Sequence, residues 1–250
     1  MYYEIHGEGE PLLLIHGLGS SSQDWEFQIS KFSKFYRVIA IDLRGHGKSD
    51  KLTATYSIRN FADDCALLIN ELNFDSLNVM GISMGGAVGF ELAINYPSLI
   101  NSLIIINMGV KIRVKTLSEK FTFFTRVFIV SIMGMKKMGE FLAPKLFPSP
   151  EQENLKNLVI SRWAKNDKKS YLISLKSLKN WSVEEKLEKI QCKTLIVASD
   201  GDYSSVESKK EYLQKIPNGQ IVIIKNSHHA VPMEKPEHFN DIILNFLKHI

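Results

Sequence analysis

Cysteine is scarce in this chain, which therefore cannot build a disulfide framework. Its 250 residues include only Cys65 and Cys192. Small disulfide-stabilised domains need several paired cysteines, so that class is excluded. The N-terminal stretch also lacks the basic segment and apolar core of a signal peptide. Both absences are typical of a protein in a reducing compartment, and we expect a cytoplasmic location.

Long apolar runs are absent as well. The most apolar stretch, FTFFTRVFIVSIMGM at residues 121–135, is interrupted by Arg126 and followed by Lys136. A helix that crosses a bilayer needs about 20 predominantly apolar residues, so this stretch is too short and too interrupted. We therefore expect no integral membrane association.

The chain also lacks the signatures of bound metals and nucleotides. His6, His238 and His249 have no partners at metal-ligand spacing. GHGKS at residues 45–49 is similar to the end of a phosphate-binding loop, but Asp42 stands where such a loop begins with glycine. We expect no metal, no cofactor and no nucleic-acid partner.

Short apolar runs recur along the chain and alternate with helical patterns. Nearly continuous apolar runs are typical of strands buried on both faces of a parallel sheet. Six segments have this character: PLLLIHG (11–17), RVIAID (37–42), LNVMG (77–81), SLIIIN (102–107), TLIVAS (194–199) and QIVIIK (220–225). Helical spacing lies between them, around 23–34, 58–73, 84–96, 205–216 and 236–249. The alternation predicts an α/β fold with a mostly parallel central sheet flanked by helices on both faces.

One region breaks this alternation. Between Val110 and about Asn180 no strand pattern occurs, and Phe, Met, Leu and Lys are frequent. We predict a helical cap, or lid, at residues 110–180, inserted into a core formed by residues 1–109 and 181–250. The cap holds 15 basic and 5 acidic residues, a net charge of +10, whereas the whole chain carries +4. The basic charge is therefore concentrated in the cap.

The cap has two features that bear on binding. Phenylalanine and methionine form adaptable apolar walls, so we predict a substrate pocket lined by Phe121, Phe124, Phe128 and Met133. In most proteins, a concentration of basic charge of this kind is only a solvated surface. Alternatively, it attracts an anionic substrate, an acidic acyl-carrier partner or an anionic lipid surface.

A single serine stands between two glycines where a strand pattern meets a helix pattern. In NVMGISMGGAV, residues 78–88, Ser83 is two residues from both Gly81 and Gly85. A serine at the apex of so tight a turn has strained backbone angles, and its neighbours need minimal side chains. Such an elbow exposes a hydroxyl beside the start of a helix, where negative charge is stabilised. The pattern is that of a nucleophile.

Three further motifs follow predicted strands. HGLGSSSQDW begins at His16, SDGDYSS follows the strand at 194–199, and NSHHAVPMEKPEHF follows the strand at 220–225. In a parallel sheet these loops and the serine elbow all leave the carboxyl ends of strands, where open α/β sheets build their sites. The order of serine, acid and histidine along the chain is that of one of the convergent Ser-His-Asp arrangements.

With these motifs the chain resembles the α/β-hydrolase superfamily over essentially its whole length, above all its lid-bearing esterases, lactonases and C–C hydrolases. The matching features are HGLG, DLRGHGKS (42–49), GISMGG (81–86), the acid loop and the pattern at His229, Glu234 and Pro236. The resemblance implies Ser83 as the nucleophile, His229 as general base and acid, and an aspartate that orients the imidazole. It also implies an oxyanion hole formed by the backbone N–H groups of Leu18 and Met84.

Two choices remain within these motifs. Asp202 stands where the family usually has its acid, two residues after Asp200, and we favour Asp202. The family usually has glycine before its histidine, whereas this chain has His228. The spacing to Glu234 favours His229 as the base.

The resemblance implies a serine hydrolase that cleaves small or acyl-chain carboxylic esters through an acyl-serine intermediate. Thioester, lactone or C–C bond hydrolysis are the alternatives within the same fold. A serine at the nucleophile position disfavours relatives with an aspartyl nucleophile. A ligand-sensing regulator that retains the triad is the alternative from a different class. For the enzyme, the expected partner is a small-molecule ester.

Overall fold

The computed structural model describes residues 1–51 and 54–250. Within them the chain forms a seven-stranded sheet with the order β1-β3-β2-β4-β5-β6-β7. The strands are β1 (Tyr2–His6), β2 (Pro11–Ile15), β3 (Arg37–Asp42), β4 (Leu77–Ile82), β5 (Ile100–Ile106), β6 (Lys193–Ser199) and β7 (Gly219–Ile224). Only β1 runs antiparallel to its neighbour in this described sheet, and the other pairs are parallel. The predicted α/β fold with a mostly parallel sheet is confirmed.

The edge strand β1 was not among the six predicted strands. Its sequence, YYEIH, contains no continuous apolar run, and the strand is partly exposed along its length. Backbone pairing with β3, from Tyr2 opposite Asp42 to His6 opposite Val38, holds it in place. Edge strands with one exposed side do not give the signal by which buried parallel strands are recognised.

Helices cover both faces of the sheet. In chain order they are α1 (Glu26–Phe32), α2 (Ile58–Glu71), α3 (Met84–Asn95), α4 (Leu117–Phe128), α5 (Gly134–Leu146), α6 (Glu153–Trp163), α7 (Lys168–Leu178), α8 (Val206–Leu213), α9 (Val231–Glu234) and α10 (Pro236–Leu247). Successive strand residues enter opposite layers, since side chains alternate across a sheet. In β2, Leu13 packs in the layer of α2 and α3, whereas Leu12 and Leu14 pack in the layer of α1 and α10.

Residues 110–180, the segment predicted to be a cap and called the cap below, contain α4 to α7 and lie between β5 and β6 along the chain. A π-helical turn at Ile129–Met133 joins α4 to α5. Backbone hydrogen bonds tie the two ends of the cap together: Ile112 N donates to Trp181 O at 2.9 Å, and Val183 N donates to Val110 O at 2.9 Å. The cap therefore leaves and re-enters the core at one narrow base above β5 and β6.

Across the described chain, none of the helices combines the length and apolar character that a bilayer crossing requires.

Candidate active site

Ser83 lies at a strained elbow between β4 and α3. Its backbone has φ 54° and ψ −121°, a conformation that L-residues adopt rarely. A Cβ at Gly81 would stand 2.2 Å from the carbonyl oxygen of Gly85, and one at Gly85 would stand 2.1 Å from that of Ile15. The two glycines are therefore required for the turn to close, as the sequence pattern indicated.

His229 and Asp202 form a hydrogen-bonded pair at the ends of neighbouring strands. Asp202 follows β6 and His229 follows β7, and His229 Nδ1 lies 2.6 Å from Asp202 Oδ1. The Asp202 side chain is 1% exposed and that of His229 is 16% exposed. Because an ionised carboxylate only accepts hydrogen bonds, Nδ1 carries the proton and Nε2 is left as an acceptor. This is the tautomer that a general base requires.

Asp200 has a different function in the loop. Its carboxylate accepts hydrogen bonds from the backbone N–H groups of Asn226 at 2.9 Å and Ser227 at 3.1 Å. These two donors hold the pKa of the Asp200 carboxyl below its usual range. Asp200 thus ties the loop after β7 to the loop after β6, and within the described ranges it makes no hydrogen bond to His229.

The Nδ1 of His228 faces Glu234, and the opposite edge of its ring lies against Gly201 of the acid loop. His228 Nδ1 lies 2.8 Å from Glu234 Oε1, and the His228 backbone N–H donates to Glu234 Oε2 at 2.5 Å. Gln152, in the cap, donates to the same Glu234 at 3.0 Å. Glu234 therefore anchors the histidine loop and connects it to the cap.

The side chain of Lys209 completes the surroundings of Asp202, and the sequence analysis did not identify it. Lys209 Nζ lies 2.7 Å from Asp202 Oδ2, and its side chain is completely buried. Burial alone would raise the pKa of the Asp202 carboxyl, but the hydrogen bond and charge of His229, with the charge of Lys209, hold it well below its usual range. Nothing in the sequence distinguishes Lys209 from its exposed neighbour Lys210.

Asn107 and Tyr203 also hold the histidine, and neither was predicted. Asn107, just after β5, has a φ of 47°. Its Nδ2 donates to the carbonyl oxygens of His228 at 3.2 Å and His229 at 3.0 Å. The Tyr203 ring lies against the imidazole of His229, with centroids 4.5 Å apart. A polar residue at the carboxyl end of a parallel strand was the one available signal for Asn107.

The two predicted oxyanion donors flank Ser83. Met84 is the first residue of α3, so its N–H has no acceptor within the helix. Neither it nor the N–H of Leu18 donates a hydrogen bond within the described ranges. A Cβ at Gly17 would stand 3.4 Å from the Ser83 Cβ, so the loop carrying Leu18 is in contact with the elbow. The assignment of these two N–H groups as oxyanion donors therefore stays a prediction, and no acceptor within the described residues occupies either of them.

His16 fixes the conformation of that loop. Its buried ring donates from Nδ1 to Gly17 O at 2.7 Å and accepts the Leu43 N–H on Nε2 at 3.0 Å. Burial lowers the pKa of His16. A neutral ring with both nitrogens occupied shapes the loop and has no free nitrogen for proton transfer.

Two cavities meet at Ser83 and His229. The loop cavity, about 90 Å³, is lined by His16, Gly17, Leu18, Ser20, Asp24, Trp25, Ile82, Ser83, Leu146, Val159, Trp163, His229, Ala230, Pro232 and Met233. The cap cavity, about 250 Å³, is lined by Leu18, Ser83, Asn107, Met108, Gly109, Lys111, Ile112, Arg126, Leu142, Leu146, Trp163, Leu178, Asp202, Tyr203, Ser204 and His229. A substrate bound at Ser83 can therefore place one arm in each cavity.

The four residues predicted to line the pocket lie elsewhere. Phe121, Phe124, Phe128 and Met133 have exposed fractions of 74%, 59%, 60% and 50%. None of them lines either cavity. The helical period is the reason, because α4 packs on the core through Phe123 and Val127 and turns Phe121, Phe124 and Phe128 to the other face. The walls of the cavities come instead from Leu142 and Leu146 of α5 and from Trp163 and Leu178.

In the ranges 1–51 and 54–250, no group of three or more His, Cys, Asp or Glu side chains is arranged to hold a metal ion.

Comparison with known proteins identifies the family. The model of the family described as the alpha/beta hydrolase fold matches residues 10–236. The chain belongs to the α/β-hydrolase family, and the resemblance inferred from the motifs is confirmed.

Individual relatives are hydrolases. The chain is 28% identical over 255 residues to (E)-2-((N-methylformamido)methylene)succinate hydrolase of Acinetobacter baylyi, covering 99% of this chain and 94% of that protein. The crystal structure of the enol-lactonase from Burkholderia xenovorans superposes with a TM-score of 0.91 at 22% identity, covering 99% of this chain and 96% of that one. The structure of a malate-bound thermophilic esterase from Thermogutta terrifontis superposes with a TM-score of 0.89 at 25% identity. The superposition covers 99% of this chain and 93% of that one.

Proposed function

We propose that this protein is a serine hydrolase that cleaves carboxylic esters of small or acyl-chain substrates through an acyl-serine intermediate. One observation carries the proposal: the strained Ser83 shares both cavities with His229, whose Nδ1 lies 2.6 Å from the buried carboxylate of Asp202. Ser83, His229 and Asp202, the proposed nucleophile, base and orienting acid, come from three loops at the carboxyl ends of the strands. This is the arrangement that acyl transfer requires.

In the first half of the reaction, His229 Nε2 accepts the proton of the Ser83 hydroxyl as the oxygen attacks the substrate carbonyl. Within the described residues Ser83 Oγ makes no hydrogen bond, so the contact with Nε2 has to form as substrate binds; such contacts are often long in unliganded enzymes. The N–H groups of Leu18 and Met84 stabilise the tetrahedral oxyanion, each contributing about 3 kcal/mol. The protonated His229 then gives its proton to the departing alcohol.

In the second half, water attacks the acyl-serine with His229 again as the base, and Ser83 is regenerated with release of the acid. Asp202 holds the imidazole in the tautomer that exposes Nε2 and stabilises the imidazolium formed in each half.

The relatives support reaction at a carbonyl group. They include an (E)-2-((N-methylformamido)methylene)succinate hydrolase and an esterase. Thioester, lactone and C–C bond hydrolysis use the same nucleophile and oxyanion donors and remain the alternatives. A ligand-sensing regulator would keep the same residues but bind its ligand without turnover.

The test is turnover of a panel of p-nitrophenyl esters of increasing acyl length, with lactones and thioesters beside them. We expect Ser83→Ala to abolish hydrolysis at an unchanged melting temperature, because the variant loses only the nucleophilic oxygen. Ser118→Ala, on the outside of the cap, is the matched control and retains full activity. A fluorophosphonate probe should label Ser83 in the wild-type protein. Substantial hydrolysis by a folded Ser83→Ala variant, or binding without turnover in the wild type, contradicts the proposal.

A further inference from the structure

Helix α4 turns its apolar face to solvent and a cation towards the active site. At 100° per residue, Leu117, Phe121, Phe124 and Phe128 fall within an arc of about 60°, and Arg126 lies about 170° from its centre. All four apolar residues are exposed. Arg126 lines the cap cavity together with Ser83 and His229. Such an orientation is unusual for a surface helix, whose charged residues normally face water.

Among the charged side chains that line the cap cavity, Arg126 is the one without an ion-pair partner in the described residues. Lys111, on the same wall, is paired with Glu184 at 2.5 Å. Asp202 is paired with Lys209 at 2.7 Å and also bonded to His229. In the part of the chain that the structure describes, Arg126 has no carboxylate within 4.0 Å. Most of the remaining lining is apolar: Leu18, Met108, Ile112, Leu142, Leu146 and Leu178.

A second donor without a partner lies beside Arg126. The hydroxyl of Tyr171 is buried and has no hydrogen-bond partner among the described residues. Burial raises the pKa of Tyr171 to about 12, and the nearby Arg126 opposes that rise. Tyr171 therefore keeps its proton at neutral pH. Tyr171 does not itself line the cap cavity, so the guanidinium of Arg126 is the donor that the cavity presents without an acidic partner among the described residues.

We propose that Arg126 binds a carboxylate carried by the substrate, and hence that the preferred substrates are small carbonyl compounds with a free carboxylate on one arm. The inference rests on the proposed function, since it names the substrate class of the same site. A guanidinium presents two parallel N–H donors to a carboxylate, and such pairs are strongest where water is partly excluded. The reacting carbonyl lies at Ser83, and the cap cavity, about 250 Å³, takes an arm of a few carbon atoms that ends in the carboxylate.

This local contact differs from general attraction to a basic surface. Long-range attraction depends on the net charge of the cap and is screened beyond about 8 Å at physiological salt. A contact in the cavity depends on one residue and resists screening. Lys120, exposed on the same helix and lining neither cavity, carries the same charge outside the site. Replacing Arg126 and Lys120 with glutamine, one at a time, therefore distinguishes binding in the cavity from long-range attraction.

The experiment compares anionic esters with neutral esters of the same shape. Methyl hydrogen succinate carries its carboxylate on the acyl arm, and methyl 4-methylpentanoate is its neutral isostere. 4-Acetoxybutanoate carries the carboxylate on the alcohol arm, and 4-methylpentyl acetate is its neutral isostere. The kcat/KM values are measured at low and high salt, and the ratio of anionic to neutral ester is taken for each pair.

We expect Arg126→Gln to lower this ratio by about tenfold or more for at least one pair, as loss of a charge-assisted hydrogen bond predicts. Turnover of the neutral esters should persist. Arg126→Lys should retain part of the preference, because it keeps the charge but loses the two-pronged geometry. Lys120→Gln should leave the ratio at high salt unchanged.

Binding gives a readout that does not depend on turnover. In the Ser83→Ala background, the preferred anionic ester should raise the melting temperature more than its neutral isostere does, and Arg126→Gln should remove the difference. The inference is overturned if Arg126→Gln leaves both ratios and this difference unchanged, or if Lys120→Gln has an equal effect. Failure in that form leaves ester hydrolysis by Ser83 intact, whereas failure of the proposed function appears as lost turnover with the binding preference retained.

Discussion

Lys209 Nζ lies 2.7 Å from Asp202 Oδ2, with side chains 0% and 1% exposed. Asp202 thus lies between the buried ammonium of Lys209 and the imidazole of His229, which becomes charged in the proposed mechanism. The ammonium offsets part of the negative charge that the carboxylate presents to His229. In the proposed mechanism, the strength with which Asp202 stabilises the imidazolium of His229 therefore depends partly on Lys209 of α8.

Lys209→Gln tests this relationship, because it removes the charge and keeps a hydrogen-bond donor. We expect a lower melting temperature, since breaking a buried ion pair costs about 3–5 kcal/mol. We also expect the acidic limb of the kcat/KM profile to move up by about one pH unit, because the less neutralised Asp202 favours the charged imidazole.

Lys210→Gln is the matched control, one position along and exposed. It should change neither the melting temperature nor the pH profile. A destabilised Lys209→Gln variant with an unshifted profile would assign Lys209 a purely structural role.

Asp202→Asn and Asp200→Asn should differ strongly in activity. Asparagine at 202 can donate to Nδ1 and so favour the wrong imidazole tautomer, which lowers kcat by about 10⁴ in a comparable triad. The N–H groups of Asn226 and Ser227 bond to different oxygens of Asp200, so asparagine at 200 keeps one of the two hydrogen bonds. Because neither bond involves His229, we expect only a small loss of kcat. Steady-state kinetics on one ester measures both variants, with circular dichroism to verify folding. The reverse ranking would move the orienting acid to Asp200.

Asp200 should contribute stability that depends on pH. The N–H groups of Asn226 and Ser227 lower its pKa in the folded protein. A carboxylate with a lowered folded pKa stabilises the fold above its unfolded pKa, about 3.9, and that contribution is lost as the pH falls below it. The melting temperature of the wild type should therefore exceed that of Asp200→Asn at pH 6 by more than at pH 3. A constant difference across this range contradicts the prediction.

The strands and the elbow were predictable because each leaves a local pattern in the sequence. Buried parallel strands are continuous apolar runs, and Gly81 and Gly85 have no room for a side chain. The spacing to Glu234 favoured His229 over His228 as the base, which stays a prediction; in the structure Glu234 contacts His228, and His229 contacts Asp202. These features depend on neighbours close in the chain.

Local sequence patterns could not predict the roles of Lys209 and Asn107 or the orientation of α4. Lys209 and Lys210 are equivalent in sequence, and only the docking of α8 buries one of them. Asn107 reaches the histidine loop across β6 and more than a hundred positions along the chain. The apolar character of Phe121, Phe124 and Phe128 suggested a pocket wall, whereas packing of α4 through Phe123 turns these side chains to solvent. Tertiary packing decides such features.

The apolar walls of the site give the last prediction. Leu146 lines both cavities and is 8% exposed, whereas Phe128 lines neither and is 60% exposed. Leu146→Ala enlarges the space beside Ser83, so the acyl length with the highest kcat/KM should increase. Phe128→Ala removes a side chain of comparable size from the outer face of the same cap and should leave the profile unchanged. A series of p-nitrophenyl esters measures both variants. If Phe128→Ala shifts the preferred length as much as Leu146→Ala does, the outer face of α4 closes over the substrate, and the pocket first predicted from the sequence is the one that functions.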